Sequence, residues 1–369
     1  MYNSKPSIAF FGSSLVSAYR NGAATYYRGI IKYLHRLGYK ITFYEPDVFD
    51  RQKHVDLHHP GWANVVVYDN NLLAAEHAVE NARQSDVLIK ASGTGVFDEY
   101  LEKAILEIRK PYQLAIFWDI DAPLTLESVF SNPKAPLREL IPEYDYIFTC
   151  GGGGLIVDAY KLLNARECIP VYNALDPETH FRVQPEQRFR CDLAFLGNRL
   201  PDREERVNEF FLDVAREMPQ KNFILAGSGW DIAGLPENVK YAGHVYTYEH
   251  NAFNSSPWAV MNISRQTMAD YGFSPASRIF EAAGAGACII TDYWRGIEQF
   301  FEPSNEIQVV RSGAEVKLML EQLDDKKAEK IGMAAFARVV AEHTYEKRAL
   351  QVSNILLEKR AFTTNPTHL

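Results

Sequence analysis

The chain has 369 residues, 47% hydrophobic and 12% aromatic, which supplies packed cores and excludes a disordered chain. That length suits two domains of roughly 170 to 190 residues each. A formal charge of −8 with no offsetting basic stretch argues against nucleic acid as the main partner, and no apolar run reaches the roughly 18 residues of a membrane span.

From the start, MYNSKPSIAFFG runs directly into a strand, with no charged lead and cleavage site of a signal peptide. Strands are predicted at Ser7 to Gly12, Lys40 to Tyr44, Asn64 to Tyr68, Asp86 to Ala91, Gln113 to Trp118 and Tyr146 to Thr149. Helical patterns fall between them at Ala23 to Leu37, Leu72 to Arg83 and Val96 to Arg109. Apolar strands alternating with amphipathic stretches mark a parallel sheet covered on both faces. Around Pro170 to Pro185 the pattern gives way to prolines and polar residues, which reads as a crossing between domains. The alternation then resumes, with strands at Asp192 to Gly197, Asn222 to Ala226, Val260 to Ile263, Cys288 to Thr291 and Ile307 to Val310. Helices are expected at Asp202 to Met218 and Ser277 to Ala283, and two more close the chain, Lys326 to Glu342 and Tyr345 to Phe362. Cys150, Cys168, Cys191 and Cys288 stand far apart without C-x-x-C spacing, as reduced and mostly buried thiols of a cytoplasmic protein do.

Ligands of parallel sheets bind beyond the carboxyl ends of the strands, so candidate residues are sought there. The first strand ends in Gly12, Ser13 and Ser14, and its loop runs to Asn21 and Gly22; small residues and hydroxyls would turn backbone N–H groups toward a ligand, or simply cap the helix. A dinucleotide-binding turn, with Glu45 reading a ribose, needs closely spaced glycines, and Gly12 has no partner before Gly22. Lys90 ends another strand, as a ligand contact or a surface lysine. Asp119 and Asp121 follow QLAIFW; either could serve as a base or cap the next helix. His54, His58, His59 and Asp56 offer an i, i+4 pair, but Pro60 and Gly61 argue for a loop without a metal.

The most informative stretch is SRIFEAAGAGACIITDYWRG, Ser277 to Gly296. It reads as a helix carrying Glu281, a break at Gly284 and Gly286, and a buried strand. A carboxylate there can accept from both hydroxyls of a ribose, with glycines leaving room for the sugar; a solvated Glu281 is the plain alternative.

This stretch, with AVMNISRQTMADYGFSPASRIFEAAGAG before it and AEHTYEKRALQV after it, resembles the signature of the CgeB-type (spore-maturation-protein-like) glycosyltransferases. FFGSSLVSAYRNGAATYYRGI, FWDIDAPLTLE and CIPVYNALDPETHF are similar to the family more loosely. The resemblance implies the GT-B architecture: an α/β protein of two facing Rossmann-like domains, 1–175 on the acceptor side and 176–345 holding the nucleotide sugar, with 346–369 crossing back to the first. It implies a donor diphosphate held near Asn198 and Arg199 after LAFLGN, with Arg265 and Arg278 as further cations, since an arginine fork suits a pyrophosphate. It implies transfer from a nucleoside-diphosphate sugar, a UDP-sugar first among them, to an unknown acceptor, with Asp121 favoured over Asp119 as general base. Neither cofactor nor metal is expected. Retaining relatives carry a second glutamate eight positions before the one matching Glu281, where this chain has Phe273, so stereochemistry stays open. A nucleotide-sugar epimerase on the same frame and a non-catalytic nucleotide or sugar binder are the competing functions.

Overall fold

The computed structural model of the protein describes residues 5–19 and 21–364, with side chains up to Glu358. Residues 1–4 of the expected start and 365–369 of the expected crossing-back segment lie outside the described residues. The chain divides into two units: residues up to Asn173 together with the segment from Tyr345, and Ala174–Thr344.

In the first unit seven strands form one sheet: β1 Ser7–Phe11, β2 Lys40–Pro46, β3 Asn64–Tyr68, β4 Val87–Ala91, β5 Leu114–Asp119, β6 Tyr146–Thr149 and β7 Cys168–Pro170. Their order is β3-β2-β1-β4-β5-β6-β7, and every neighbouring pair is parallel. β4 and β5 are buried at every position, as a sheet with both faces covered requires. On one face Ala9, Phe11, Leu88 and Tyr44 pack on Ala75, Val79, Leu101 and Ile105 of the Leu72–Ala82 and Asp98–Ile108 helices. The Tyr345–Thr364 helix packs on the Ala24–Arg36 helix, where a Cβ on Gly29 would sit 2.3 Å from the Tyr345 ring.

The second unit has a six-stranded parallel sheet: β8 Leu193–Leu196, β9 Phe223–Ala226, β10 Val239–Gly243, β11 Ala259–Asn262, β12 Ile289–Asp292 and β13 Gln308–Val310. The order is β10-β9-β8-β11-β12-β13. The stretch expected as one helix from Asp202 is Pro201–Val207, a π turn at Asn208–Leu212, and Asp213–Glu217. Phe210 and Phe211 in that turn still enter the core beside Phe195 and Phe223. Two strands were not foreseen: β7 is three residues long and ends in Pro170, which an edge strand tolerates, and β10 is a half-exposed edge ending in Gly243. Each sheet reverses its strand order once, between β1 and β4 and between β8 and β11, and such points open a crevice at the carboxyl ends of the strands.

Candidate functional site

The reversal in the Ala174–Thr344 unit gathers several charged groups. The turn after β8 is closed by Asn198, whose Oδ1 accepts from Ser228 N at 2.9 Å, and by Trp230 Nε1 donating to Gly197 O at 2.7 Å. Asn198 therefore holds the turn with its side chain. Arg199 is exposed and ion-paired with Glu204 at 2.7 Å, and Arg265 donates through Nε to Asp202 at 2.6 Å, so both of these expected diphosphate ligands are engaged by acids.

Arg278 differs from both. It sits in the first turn of the Ser277–Gly284 helix, partly buried, and makes no hydrogen bond or ion pair among the described residues. Burial lowers its pKa against the pull of Glu281. Arg203, four residues after Arg199 and 8% exposed, was not foreseen. It donates to Asn198 O at 2.5 Å, yet its Nε has no partner among the described residues. Burial and the nearby Arg278 charge push its pKa down to about 10. Two guanidinium groups lowered by burial, each with an unmatched Nε donor, make a site for a polyanion.

Beside them, Asp292 ends β12 fully buried and accepts from Ser264 N and Oγ and from Arg206 at 2.5 Å. Burial pushes its pKa up, and Arg206 and Ser264 oppose that. Asp292 thus ties the loops after β11 and β12 together and consumes Arg206. The pairing was missed because an aspartate closing a strand looks the same in sequence whether it faces water or an arginine.

Glu281 is 7% exposed, and its carboxylate lies near His180 and His250. Burial pushes its pKa up, but His180, His250 and Arg278 together outweigh that and hold it below the ordinary glutamate range. Neither oxygen accepts a hydrogen bond from the described residues. The glycines after it do other work than expected. A Cβ on Gly284 would lie 2.4 Å from Leu175 Cδ1 and 2.9 Å from His180 O, so this glycine admits the 175–180 turn, and Gly286 ends the helix with φ +72°. Phe273, in the place of the absent glutamate, has φ +48° and donates from N to Arg295 O at 2.6 Å.

In the first unit the loop after β1 is satisfied from within. Ser13 Oγ donates to Asn21 Oδ1, Asn21 Nδ2 to Ser14 O, and Ser14 Oγ to Glu45. Glu45 also accepts from Leu15 N and Gln52 Nε2, so it organises this loop and reads no ribose. Gly12 is required for packing, since a Cβ would meet the Phe43 ring at 2.6 Å, whereas Gly22 has open space around it. Lys90, read as a ligand contact or a surface lysine, is neither exposed nor free: it is fully buried and donates to Asp98 at 2.6 Å, Ala91 O and Thr94 Oγ1. Of the two aspartates, Asp119 is fully buried and accepts from Ser92, Thr125, Tyr160 and Asp121 N. It is a structural hub. Asp121 stands at the head of the Ala122–Ser131 helix, partly exposed, and its side chain does not cap that helix. In the histidine loop Asp56 pairs with Arg28 at 2.6 Å and His54 stacks on Tyr19 at 3.9 Å, and these histidines are not among the metal-ligating groupings of the described residues.

Residues 203–354 match a family described as glycosyl transferase-like. Among solved structures, the chain is similar to HepE of Anabaena in complex with UDP and glucose, at TM-score 0.69 and 15% identity over 96% of this chain and 100% of that one. It is similar to sucrose-phosphate synthase from Thermosynechococcus elongatus at TM-score 0.70 and 12% identity, over 97% of this chain and 100% of that one. An alpha-glucosyltransferase in complex with UDP and a 13-mer DNA is similar at TM-score 0.71 and 12% identity, over 96% and 100%. No curated protein matches the chain. The fold is that of the GT-B glycosyltransferases, as the sequence led one to expect. No helix among the described residues is long and apolar enough to cross a membrane.

Proposed function

We propose that the protein is a glycosyltransferase of the CgeB-like kind that works in the cytoplasm. It takes its sugar from a nucleoside-diphosphate sugar, with a UDP-sugar the first choice because HepE is described with UDP and glucose. One observation carries the reading: Arg278, with a spare guanidinium donor, lies within electrostatic reach both of Arg203, which also keeps one, and of an ionised Glu281 whose oxygens are uncommitted, at the strand reversal of the second unit. A nucleoside diphosphate complements that set, its phosphates facing the arginines and its ribose hydroxyls the carboxylate. As the bond from the sugar C1 to the diphosphate breaks, negative charge grows on the leaving phosphate. The arginines stabilise that charge more than the ground state, which is how they would speed transfer. Arg199 and Arg265 join only by leaving their acids. Asp121 is the base we assign to the acceptor hydroxyl, since Asp119 is enclosed by four donors. No metal or cofactor enters this scheme.

Calorimetric titration with UDP and with uridine tests it. Arg278→Ala should weaken UDP by about 1.5–3 kcal/mol, the range for hydrogen bonds to charged groups, and leave uridine nearly unchanged. Equal losses for both ligands would refute the phosphate role. Asp121→Asn should keep UDP affinity while transfer falls about 10²–10⁴-fold. Wild-type turnover in that variant removes Asp121 as base, and the anomeric form of the product decides whether a base is needed at all.

A further inference from the structure

Three segments of the Ala174–Thr344 unit bring one group each to the same place. His180 comes from the turn that follows Asp176, His250 opens the His250–Ser255 helix, and Glu281 lies in the Ser277–Gly284 helix. His180 Nε2 is 4.0 Å and His250 Nδ1 3.7 Å from the same oxygen, Glu281 Oε2. His180 is 2% exposed, and neither of its ring nitrogens, nor His250 Nδ1, has a hydrogen-bond partner among the described residues. Buried polar atoms left unmatched are costly, so three of them on two rings beside one carboxylate call for a function.

The backbone fixes both rings. His180 N donates to Asp176 O at 2.9 Å, and the His180 carbonyl rests where a side chain on residue 284 would be, which is why that residue is glycine. His250 Nε2 lies 3.3 Å from Val245 O, a contact that places the proton of a neutral ring on Nε2 and turns the Nδ1 lone pair toward Glu281. Burial lowers the His250 pKa and so favours that neutral ring. A lone pair cannot serve a carboxylate. His180, with both nitrogens uncommitted, is the ring able to give Oε2 an N–H. The present 4.0 Å exceeds a hydrogen bond, and a side-chain adjustment of roughly 1 Å makes one. A divalent cation fits less well. The ring nitrogens stand 4.0 and 3.7 Å from Oε2, against an edge of about 3.4 Å for a tetrahedral site with 2.0–2.1 Å bonds.

The geometry points to His180 as a positioning residue: it holds Glu281 Oε2 so that the other oxygen meets the ribose of the donor. The inference rests on the donor reading of Glu281 given above. Its test is UDP affinity of the full chain, with 2′,3′-dideoxy-UDP as the control ligand. His180→Ala should weaken UDP about tenfold and the dideoxy ligand hardly at all, and His180→Gln, which keeps an N–H, should recover most of the loss. In a Glu281→Gln background His180→Ala should cost nothing further. Equal losses for both ligands, a full loss added to that of Glu281→Gln, or no recovery with glutamine would each overturn the role. So would a stoichiometric divalent metal in the purified protein that His180→Ala removes. If Glu281→Gln leaves UDP affinity unchanged, the donor reading has failed and takes His180 with it. If Glu281→Gln weakens UDP while the histidine effect is additive, only the positioning role falls.

Discussion

Burial pushes the Glu102 carboxyl up to about 7 from an ordinary 4.5, with Lys90 opposing and Asp98 adding to the shift. The folded state therefore prefers this side chain protonated. Its contribution is neutral below about pH 4.5, and stability declines as pH rises toward 7, where the folded protein must carry the charge. Glu102→Gln removes that burden. It should leave stability unchanged at pH 4.5 and raise it at pH 8, by at most about 3 kcal/mol for a shift of this size. Urea unfolding at the two pH values checks it; equal gains at both would mean the effect is packing. Arg203 and Arg278 share the same physics with the opposite sign of charge, since burial disfavours both guanidinium ions, and at Arg203 the Arg278 charge adds repulsion, until an anion arrives. Stability lost to that repulsion is recovered on binding, so a nucleoside diphosphate should raise the thermal midpoint more than its nucleoside does.

At the scale of elements, the Ser277–Gly284 helix depends on one missing side chain. Gly284→Ala puts a methyl group 2.4 Å from Leu175 and 2.9 Å from the His180 carbonyl, and the carbonyl cannot rotate away. Overpacking of this kind costs about 1–3 kcal/mol, which thermal unfolding would register. UDP affinity should fall too, because the 175–180 turn carries His180; stability lost with affinity intact would separate the turn from the site. This glycine also shows what was legible in the sequence. Glycine after an apolar helix and before an apolar strand announced the helix–strand unit, because those patterns depend on burial along one segment. Whether Gly284 made room for a ligand or for another part of the chain depended on a turn about a hundred residues earlier. The same limit separates Arg278, identified, from Arg203, missed. Both are arginines in the first turn of a helix, and only packing on Phe195 and the neighbouring Arg278 distinguishes Arg203 from a surface cation. Lys90 shows the reverse error. A lysine ending a buried strand read as a ligand contact or a surface residue, while Asp98, eight residues on, turned out to be its partner.

For the whole molecule, the chain returns at Tyr345 to the unit in which it began, after completing the Ala174–Thr344 unit. The returning helix buries Tyr345, Ala349, Val352 and Leu356, and it is tied to the first unit by Tyr39 Oη donating to Ser353 Oγ at 2.9 Å and Gln351 Nε2 to Pro170 O at 3.0 Å. A segment so distant in sequence acts as a clasp, lying on the Ala24–Arg36 helix of that unit with Tyr345 against Gly29. Removing its main anchor should then act on one unit alone. Tyr345→Ala leaves a cavity against Gly29 and should destabilise the first unit by about 3–5 kcal/mol, the usual loss for a large buried aromatic. The proposed donor site lies wholly in the other unit, so UDP affinity at low temperature should survive the substitution. Calorimetric scans with and without UDP decide the matter. The variant should show an early transition that UDP does not move and a later one that UDP raises. A single transition, lowered by the substitution and raised by UDP, would mean that the two units unfold together and that the clasp stabilises both.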